Sequence, residues 1–371
     1  MGNPKQKGNI QTLPKWVDYI LIPAANLMLA FVFSALAVYI LGEDPIAFIE
    51  ILINGAFGYD QAIGYTLYYA TTFIFTALAV AIAFRCGYLN IGGEGQLYLG
   101  GLGVTMAALG LYGYSWYIVL PVAMLGAMFF SGLWGFIPGW LQAKRGSHTV
   151  ITTIMFNFIA SSIMSYLIIY VFTPSGHPTS ESRTFHADSV LPQIHSVLSY
   201  FGVEMSRSPL NISFLLAIFF CFLFWVFTWK TRWGYALRTV GHSEKAAVYA
   251  GIHPDKYIIF AMTCGGALAG LAAINSILGN QYRLIQDFTS GFGFVGIAVA
   301  FMGRHHPFGI FLAAILFGAL KQGGSELDFE MPAINSDMIV YIQGLVIVFC
   351  GSLEYMLRPQ FKKLFLRKTE A

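Results

Sequence analysis

The sequence predicts an all-α polytopic membrane protein of about ten transmembrane elements, with N- and C-termini cytoplasmic, and three observations carry that expectation. The first is composition: of 371 residues, 57% are hydrophobic and 11% charged, against roughly 25% charged in an ordinary soluble domain. A soluble core of this size has nowhere to hide so much apolar surface. The second is that the charges cluster, leaving residues 19–42, 61–84, 95–143, 208–229 and 257–282 without Asp, Glu, Lys or Arg. A bilayer core of about 30 Å takes roughly 20 apolar residues as helix, and these runs reach that length. They are too continuous for barrel strands, the other way to satisfy a backbone in lipid. The third is the Lys/Arg distribution, which alternates between the connecting segments.

Spans are expected at 19–41, 65–84, 95–111, 116–137, 150–172, 211–229, 257–278, 292–303, 308–320 and 338–357. Residues 1–18 form a cytoplasmic N-terminal segment, 19–357 the transmembrane domain and 358–371 a basic cytoplasmic tail. Lys5, Lys7 and Lys15 place the start inside. No small-residue cleavage site follows, so the first span reads as an uncleaved helix and not a signal peptide. The loop 42–64 carries Glu43, Asp44, Glu50 and Asp60 without a Lys or Arg, and is expected outside. Lys144, Arg145 and the loop 230–256 then fall inside, and the loop 173–210 and the acidic loop 323–337 outside. The histidines of 173–210 (His177, His186, His195) are irregularly spaced, which reads as a solvated loop and not a metal site. Cys86, Cys221, Cys264 and Cys350 show no CxxC or zinc spacing and read as small core residues. No cofactor or metal is expected, and a net charge of +3 is too small to imply nucleic acid.

Two regions depart from ordinary spans. Residues 292–303 and 308–320 are each too short to cross unaided and read as candidate half-helices of a re-entrant hairpin. Residues 85–103 are interrupted by Gly87, Gly92, Gly93, Gly95, Gly100, Gly101 and Gly103. Glycine-broken hydrophobic segments in the two halves of a transporter are the best sequence pointer to its solute pathway. One lies in each half here, which suggests an inverted repeat without a residue-level one.

Within the first such segment Glu94 is ionisable at membrane depth, a costly placement that points to function. The alternative is a carboxylate at the start of the third span, where the helix dipole welcomes it. Asn90 and Gln96 offer donors and acceptors suited to sugar hydroxyls or base edges. Asn157, in mid-span, reads equally as a solute contact or an interhelical hydrogen bond. In the loop 230–256, Glu244, Ala246, Ala247 and Gly251 form E-x-A-A-x-x-x-G. Ser243 is placed to cap a short helix, Glu244 to sit at its positive end and Gly251 to stop it. Small alanines allow another protein to approach closely, so a docking helix is preferred to a linker on the membrane surface.

These stretches resemble the simple-sugar and nucleoside branch of bacterial ABC importer permeases, relatives of the ribose and branched-chain amino acid permeases. The resemblance is carried by GYLNIGGEGQLYLGG (87–101), IPGWLQAKRG (137–146), VITTIMFNFIA (150–160), GYALRTVGHSEKAAVYAGI (234–252) and GFGFVGIAVAFMGRHHPFG (291–309), in the family's order over nearly the whole chain. It implies that 243–251 is the coupling helix, seated in a groove of an ATPase subunit. It also implies a pathway lined near 90–96 and by 291–303, the latter including Phe294. The implied assembly has two ATP-binding subunits or one tandem ATPase, a second permease, the same or homologous, and an external solute-binding protein, all at the bacterial inner membrane. Three positions depart from the family's habit: His148 where an acid is common, Val295 where Asp is frequent and Gly93 where Ala is. They leave the pathway less acidic than usual and the solute's identity open. No G-x-x-x-x-G-K-[ST] loop occurs, so ATP hydrolysis would belong to a separate subunit and this chain is not expected to be an enzyme. A stand-alone ion-coupled secondary transporter is the alternative, but the spans hold no mid-membrane carboxylate or histidine besides Glu94. His305–His306, followed by Pro307, reads as a turn at the cytoplasmic face and not as a proton relay.

Overall fold

A computed structural model describes residues 21–174, 176, 179–200, 202–331, 340–345 and 348. The N-terminal segment, the basic tail, most of the expected tenth span, His177 and Cys350 lie outside the described residues. Among those described, regular structure is helical, and extended pairing is limited to the isolated bridges Glu181 to Ile285 and Gln193 to Asn211. The chain divides into two units, Ile51–Glu326 and the flanks Met1–Glu50 with Leu327–Ala371.

In the flanking unit, α1 runs Ile22–Ile40, and α2, Pro45–Phe57, begins there before continuing into the main unit. Its start is local chemistry: the Asp44 carboxylate accepts the Ile46 N–H at 2.8 Å, with Pro45 at the first helical position. The segment 42–64, expected as an external loop, is therefore largely helix. Its acidic residues obscured a cap followed by proline.

The main unit holds α3 (Asp60–Arg85), α4 (Gly93–Gly110), α5 (Trp116–Arg145), α6 (Thr149–Leu167), α7 (Ile194–Ser199), α8 (Ser213–Lys230), α9 (Arg232–His242), α10 (Glu244–Tyr249), α11 (Pro254–Ser276), α12 (Phe292–Met302) and most of α13 (Pro307–Glu330). Single π-helical turns extend α6 to Phe172 and α11 to Gln281. Among the described residues, six helices are long and apolar enough to cross a membrane: Asp60–Arg85, Trp116–Arg145, Thr149–Phe172, Ser213–Lys230, Pro254–Gln281 and Pro307–Glu330. The chain is thus an all-helical, multi-pass membrane protein.

The core centres on α11, which packs against α5, α3 and α4, while α4 also packs on α5 and α12 on α3; the sequence of α3 shows why such close packing is possible. Its inward side is Ala and Thr with a few large apolar residues, and Thr71 and Thr76 return their hydroxyls to the carbonyls of Leu67 and Thr72 at 2.8 and 3.1 Å. Small side chains let backbones touch, the packing mode of helices in lipid. Gly100 of α4 shows it: an added Cβ would sit 2.5 Å from the Cα of Gly270 in α11. The glycines of 93–103 therefore do not break the helix, as the sequence suggested. They lie in continuous α4, and the true break is the non-helical stretch 86–92 before it.

Three further expectations are corrected. The span expected at 116–137 continues to Arg145, where Gly146 at φ 66° ends it. The pair 292–303 and 308–320 is not two half-helices: α12 has 11 residues, but α13 has 24 and extends into the expected acidic loop. The segment 173–210 is not an open solvated loop. It is strapped to the end of α11 through Ser182 N–H to Leu284 O (2.9 Å), Phe185 N–H to Tyr282 O (2.8 Å) and Leu191 N–H to Leu278 O (3.0 Å). Arg283 adds an ion pair to Glu181 at 2.9 Å.

These contacts sort the connections into two ends. At one, Arg85 donates to the carbonyl of His305 at 3.0 Å, Tyr88 to Glu244 at 2.5 Å and Lys144 to Asp255 at 2.8 Å. At the other, Ser189 donates to the carbonyl of Tyr114 at 2.8 Å beside the strap.

Candidate functional site

The two regions singled out from opposite halves of the sequence meet. α12 lies alongside the second half of α3: the Phe292 ring packs on Phe73 (5.6 Å) and the Phe301 ring on Phe84 (5.2 Å). Eleven residues at 1.5 Å each give α12 a length of about 16 Å, half of a bilayer core of about 30 Å. Its start thus lies half-way along α3, and there it abuts the start of α4.

Glu94, in the first turn of α4, joins the two. One carboxylate oxygen accepts the Gly291 N–H at 3.0 Å and the other the Gly293 N–H at 2.8 Å. Two helix N-termini, each with partial positive charge, converge on one carboxylate, which balances the cost of burying it. Gly293 is required by this approach, since a Cβ there would lie 2.3 Å from the Glu94 nitrogen. Glu94 thus lies in the first turn of a helix, as one of its two readings expects, and its carboxylate lies beside the start of α12.

Asn90, Gln96 and Asn157 lie in the same neighbourhood and hold the non-helical stretch. Asn90 and Gln96 exchange amide hydrogen bonds at 2.9 and 3.1 Å, and Asn90 also accepts the Gly92 N–H at 3.0 Å. Asn157 accepts the Gly95 N–H at 2.9 Å and donates to the Ile91 carbonyl at 3.0 Å. These are backbone groups that a broken helix leaves without partners. All four side chains are buried, between 0% and 7% exposed. Phe294, one turn into α12, is 46% exposed and faces outward.

Sequence reasoning missed the polar groups just beyond. The Tyr98 hydroxyl donates to the exposed Asp287 carboxylate at 2.8 Å. Asp287 and the exposed Ser290 have φ of 55° and 45°, a backbone region that costs non-glycine residues energy and is kept where structure imposes it. Tyr69 lies close by, its ring 6.0 Å from Phe292. The available signal was the turn chemistry of Asp287, Ser290 and Gly291, which reads as an ordinary loop.

At the end shared by α9 and α10, the expected short helix is present. Ser243 Oγ accepts the Ala246 N–H at 3.3 Å, Glu244 lies in the first turn, and Gly251 takes φ 75° at the stop. The alanines do not share a face: Ala247 is fully buried against the chain, while Ala246 is exposed beside Tyr249, itself 94% exposed. The exposed residues of the helix are Glu244, Lys245, Ala246, Val248 and Tyr249.

Residues 62–350 match the family model described as the permease component of branched-chain amino acid transport systems. The guanosine ABC transporter permease protein NupP of Bacillus subtilis is 34% identical over 353 residues, spanning 94% of this chain and 98% of its own. The glucose ABC transporter permease protein TsgB13 of Haloferax volcanii is 30% identical over 365 residues, 96% of this chain and 93% of its own. The nucleoside ABC transporter permease protein NupB of Lactococcus lactis is 29% identical over 334 residues, 89% and 90% of the two chains.

Proposed function

The chain belongs to the permease-component family of branched-chain amino acid transport systems, and from that membership we propose that it forms half of the translocation pathway of an ATP-driven importer of nucleosides or related small sugar-bearing solutes. The nucleoside and guanosine permeases among its relatives support the cargo class, and the glucose permease widens it to sugars. Energy comes from separate ATP-binding subunits, a second permease completes the passage, and an external binding protein delivers the solute. The end with α9 and α10 faces the cytoplasm, following Lys230, Arg232, Lys245 and Lys256. On this reading ten elements cross or enter the membrane, α10 is the coupling helix, and Tyr249 anchors it in the ATPase groove.

The observation that carries the pathway is the meeting of α4 and α12 on Glu94 half-way along α3. Glu94, Asn90, Gln96 and Asn157 form a rigid wall from behind, and Phe294, Asp287 and Ser290 face the passage. Asp287 offers carboxylate oxygens to sugar hydroxyls, and the rings of Phe294 and Tyr69 offer faces to a base. An ion-coupled carrier needs a carboxylate free to take up its ion, and both oxygens of Glu94 already hold backbone N–H groups.

Uptake of labelled guanosine into proteoliposomes containing the full assembly tests the reading. Asp287→Asn and Phe294→Ala are expected to cut the rate while barely moving half-saturation, because affinity belongs to the binding protein. Wild-type rates in both variants reject this pathway. Orientation is checked separately by a single cysteine at position 245, which a membrane-impermeant reagent should reach only from the cytoplasmic side.

A further inference from the structure

Two adjoining cavities along α8 and α11 take no part in the polar centre. One, of about 260 Å³, is lined by Trp233, Ile252, His253, Lys256, Tyr257 and Phe260 at the α9–α10 end. The other, of about 190 Å³, lies deeper and is lined by Ile82, Phe224, Phe227, Cys264, Ala267 and Leu268. Their linings meet in a ring contact: Phe227 of the second and Phe260 of the first sit 5.9 Å apart. On α11 the lining residues Lys256, Phe260, Cys264 and Leu268 recur every fourth position, a single stripe on one helix face. From Lys256 to Leu268 the stripe is about 18 Å long at 1.5 Å per residue.

The track has two chemistries. Its inner part offers only apolar side chains and one thiol, in a segment of α8 and α11 read as membrane-spanning. Its outer part is cationic and aromatic. Lys256 and His253 are exposed, Lys230 and Arg232 follow within two turns of Phe227, and the Trp233 ring lies 5.6 Å from Phe260 and 6.2 Å from Tyr257. The acidic neighbours are occupied: Asp255 pairs with Lys144 at 2.8 Å and Glu244 accepts the Tyr88 hydroxyl. Tryptophan and tyrosine favour headgroup depth, and basic side chains there attract anionic lipid.

We propose that this track binds one anionic phospholipid in the leaflet on the α9–α10 side, with its phosphate at Lys256 and His253 and one acyl chain along Phe227, Cys264 and Leu268. An apolar cleft open to hydrocarbon is filled by hydrocarbon, and the cations at one end alone select the headgroup. The cup also touches Gly251 and Ile252, the stop of α10. Headgroup occupancy therefore steadies the element that carries Tyr249. Lipid binding itself does not depend on the transport reading.

The test reconstitutes the full chain in phosphatidylcholine vesicles carrying a small fraction of phosphatidylglycerol brominated on its acyl chain, and reads quenching of tryptophan fluorescence. Each basic side chain near the headgroup supplies about a fivefold preference, so brominated phosphatidylglycerol should quench several-fold more than brominated phosphatidylcholine at equal fraction. Lys256→Glu, on an exposed residue, should remove most of that excess, and Ala267→Phe, which fills the groove, should remove it independently. Free inorganic phosphate should leave the excess unchanged. Equal quenching by the two lipids overturns the proposal, as does an excess that survives Lys256→Glu. An excess displaced by phosphate alone, or lost once the ATPase subunit binds, overturns it too, by assigning the cup to a free anion or a partner side chain. A transport-dead assembly that retains the excess would refute the transport reading and leave this one standing.

Discussion

Replacing Glu94 isolates the contact on which the central geometry rests. Its two oxygens hold the N–H groups of Gly291 and Gly293 at 3.0 and 2.8 Å. A hydrogen bond to a charged acceptor contributes about 1.5–3 kcal/mol, and an orphaned buried donor carries its full desolvation cost. Glu94→Ala loses both bonds and leaves two buried donors at the start of α12, an expected loss of about 3–6 kcal/mol. Glu94→Gln keeps one acceptor oxygen but turns an amide NH₂ toward the second N–H, so its loss should be about half as large. Thermal unfolding of the purified chain in detergent reads stability, and guanosine uptake by the reconstituted assembly reads function. Both should fall together, with Ala worse than Gln, because misplacing the α12 start removes the wall that positions Phe294. A Glu94→Ala chain that melts with wild type would refute the reasoning. Normal melting with lost uptake in Glu94→Gln would instead mean that the carboxylate acts on the solute directly.

Other expectations follow from the same contacts. Gly293→Ala places a methyl 2.3 Å from the Glu94 backbone nitrogen, which cannot yield as a side chain can; a loss of about 1–3 kcal/mol or more should appear as a lowered melting temperature. Tyr249→Glu, at a position 94% exposed, should leave insertion and melting unchanged while abolishing ATPase co-purification and uptake. Ala247→Glu, by contrast, should lower stability itself, since Ala247 is fully buried and a charge there lacks a partner. Acid should also weaken the α12–α13 turn. Burial, with the Arg85 charge adding, holds the His305 imidazole down at about 3. Between about pH 6.5 and 3 the unfolded chain therefore binds a proton that the folded chain does not. This contribution is complete above about pH 6.5 and is lost at about 1.4 kcal/mol per pH unit below it. His305→Phe, which retains the stack on Phe84 at 3.9 Å, should flatten that part of a melting-temperature profile against pH.

Much of this molecule was legible in one dimension. Hydropathy and charge clustering are summed residue by residue, so they marked the apolar runs in which the six long helices of the described residues lie. Ser243, Glu244 and Gly251 form a capped, stopped helix through contacts only a few residues apart, and its existence and bounds followed from their order. The glycine-rich starts at 93 and 291 were visible as anomalies for the same reason. Their meaning was not visible, because it lies in contacts between distant positions: Glu94 and Gly293 are 199 residues apart in the chain. Only packing decided that the glycines of α4 serve backbone contact and not breakage. Only packing turned Asn90, Gln96 and Asn157 inward onto orphaned amides while leaving Phe294 outward. Adjacent alanines at 246 and 247 look interchangeable in sequence, yet they stand about 100° apart on a helix. One is therefore sealed against the chain and the other is free to meet a partner. Asp287 was hidden most completely, since an exposed carboxylate at φ 55° that accepts the Tyr98 hydroxyl is spelled like any surface turn until the helices around it are in place.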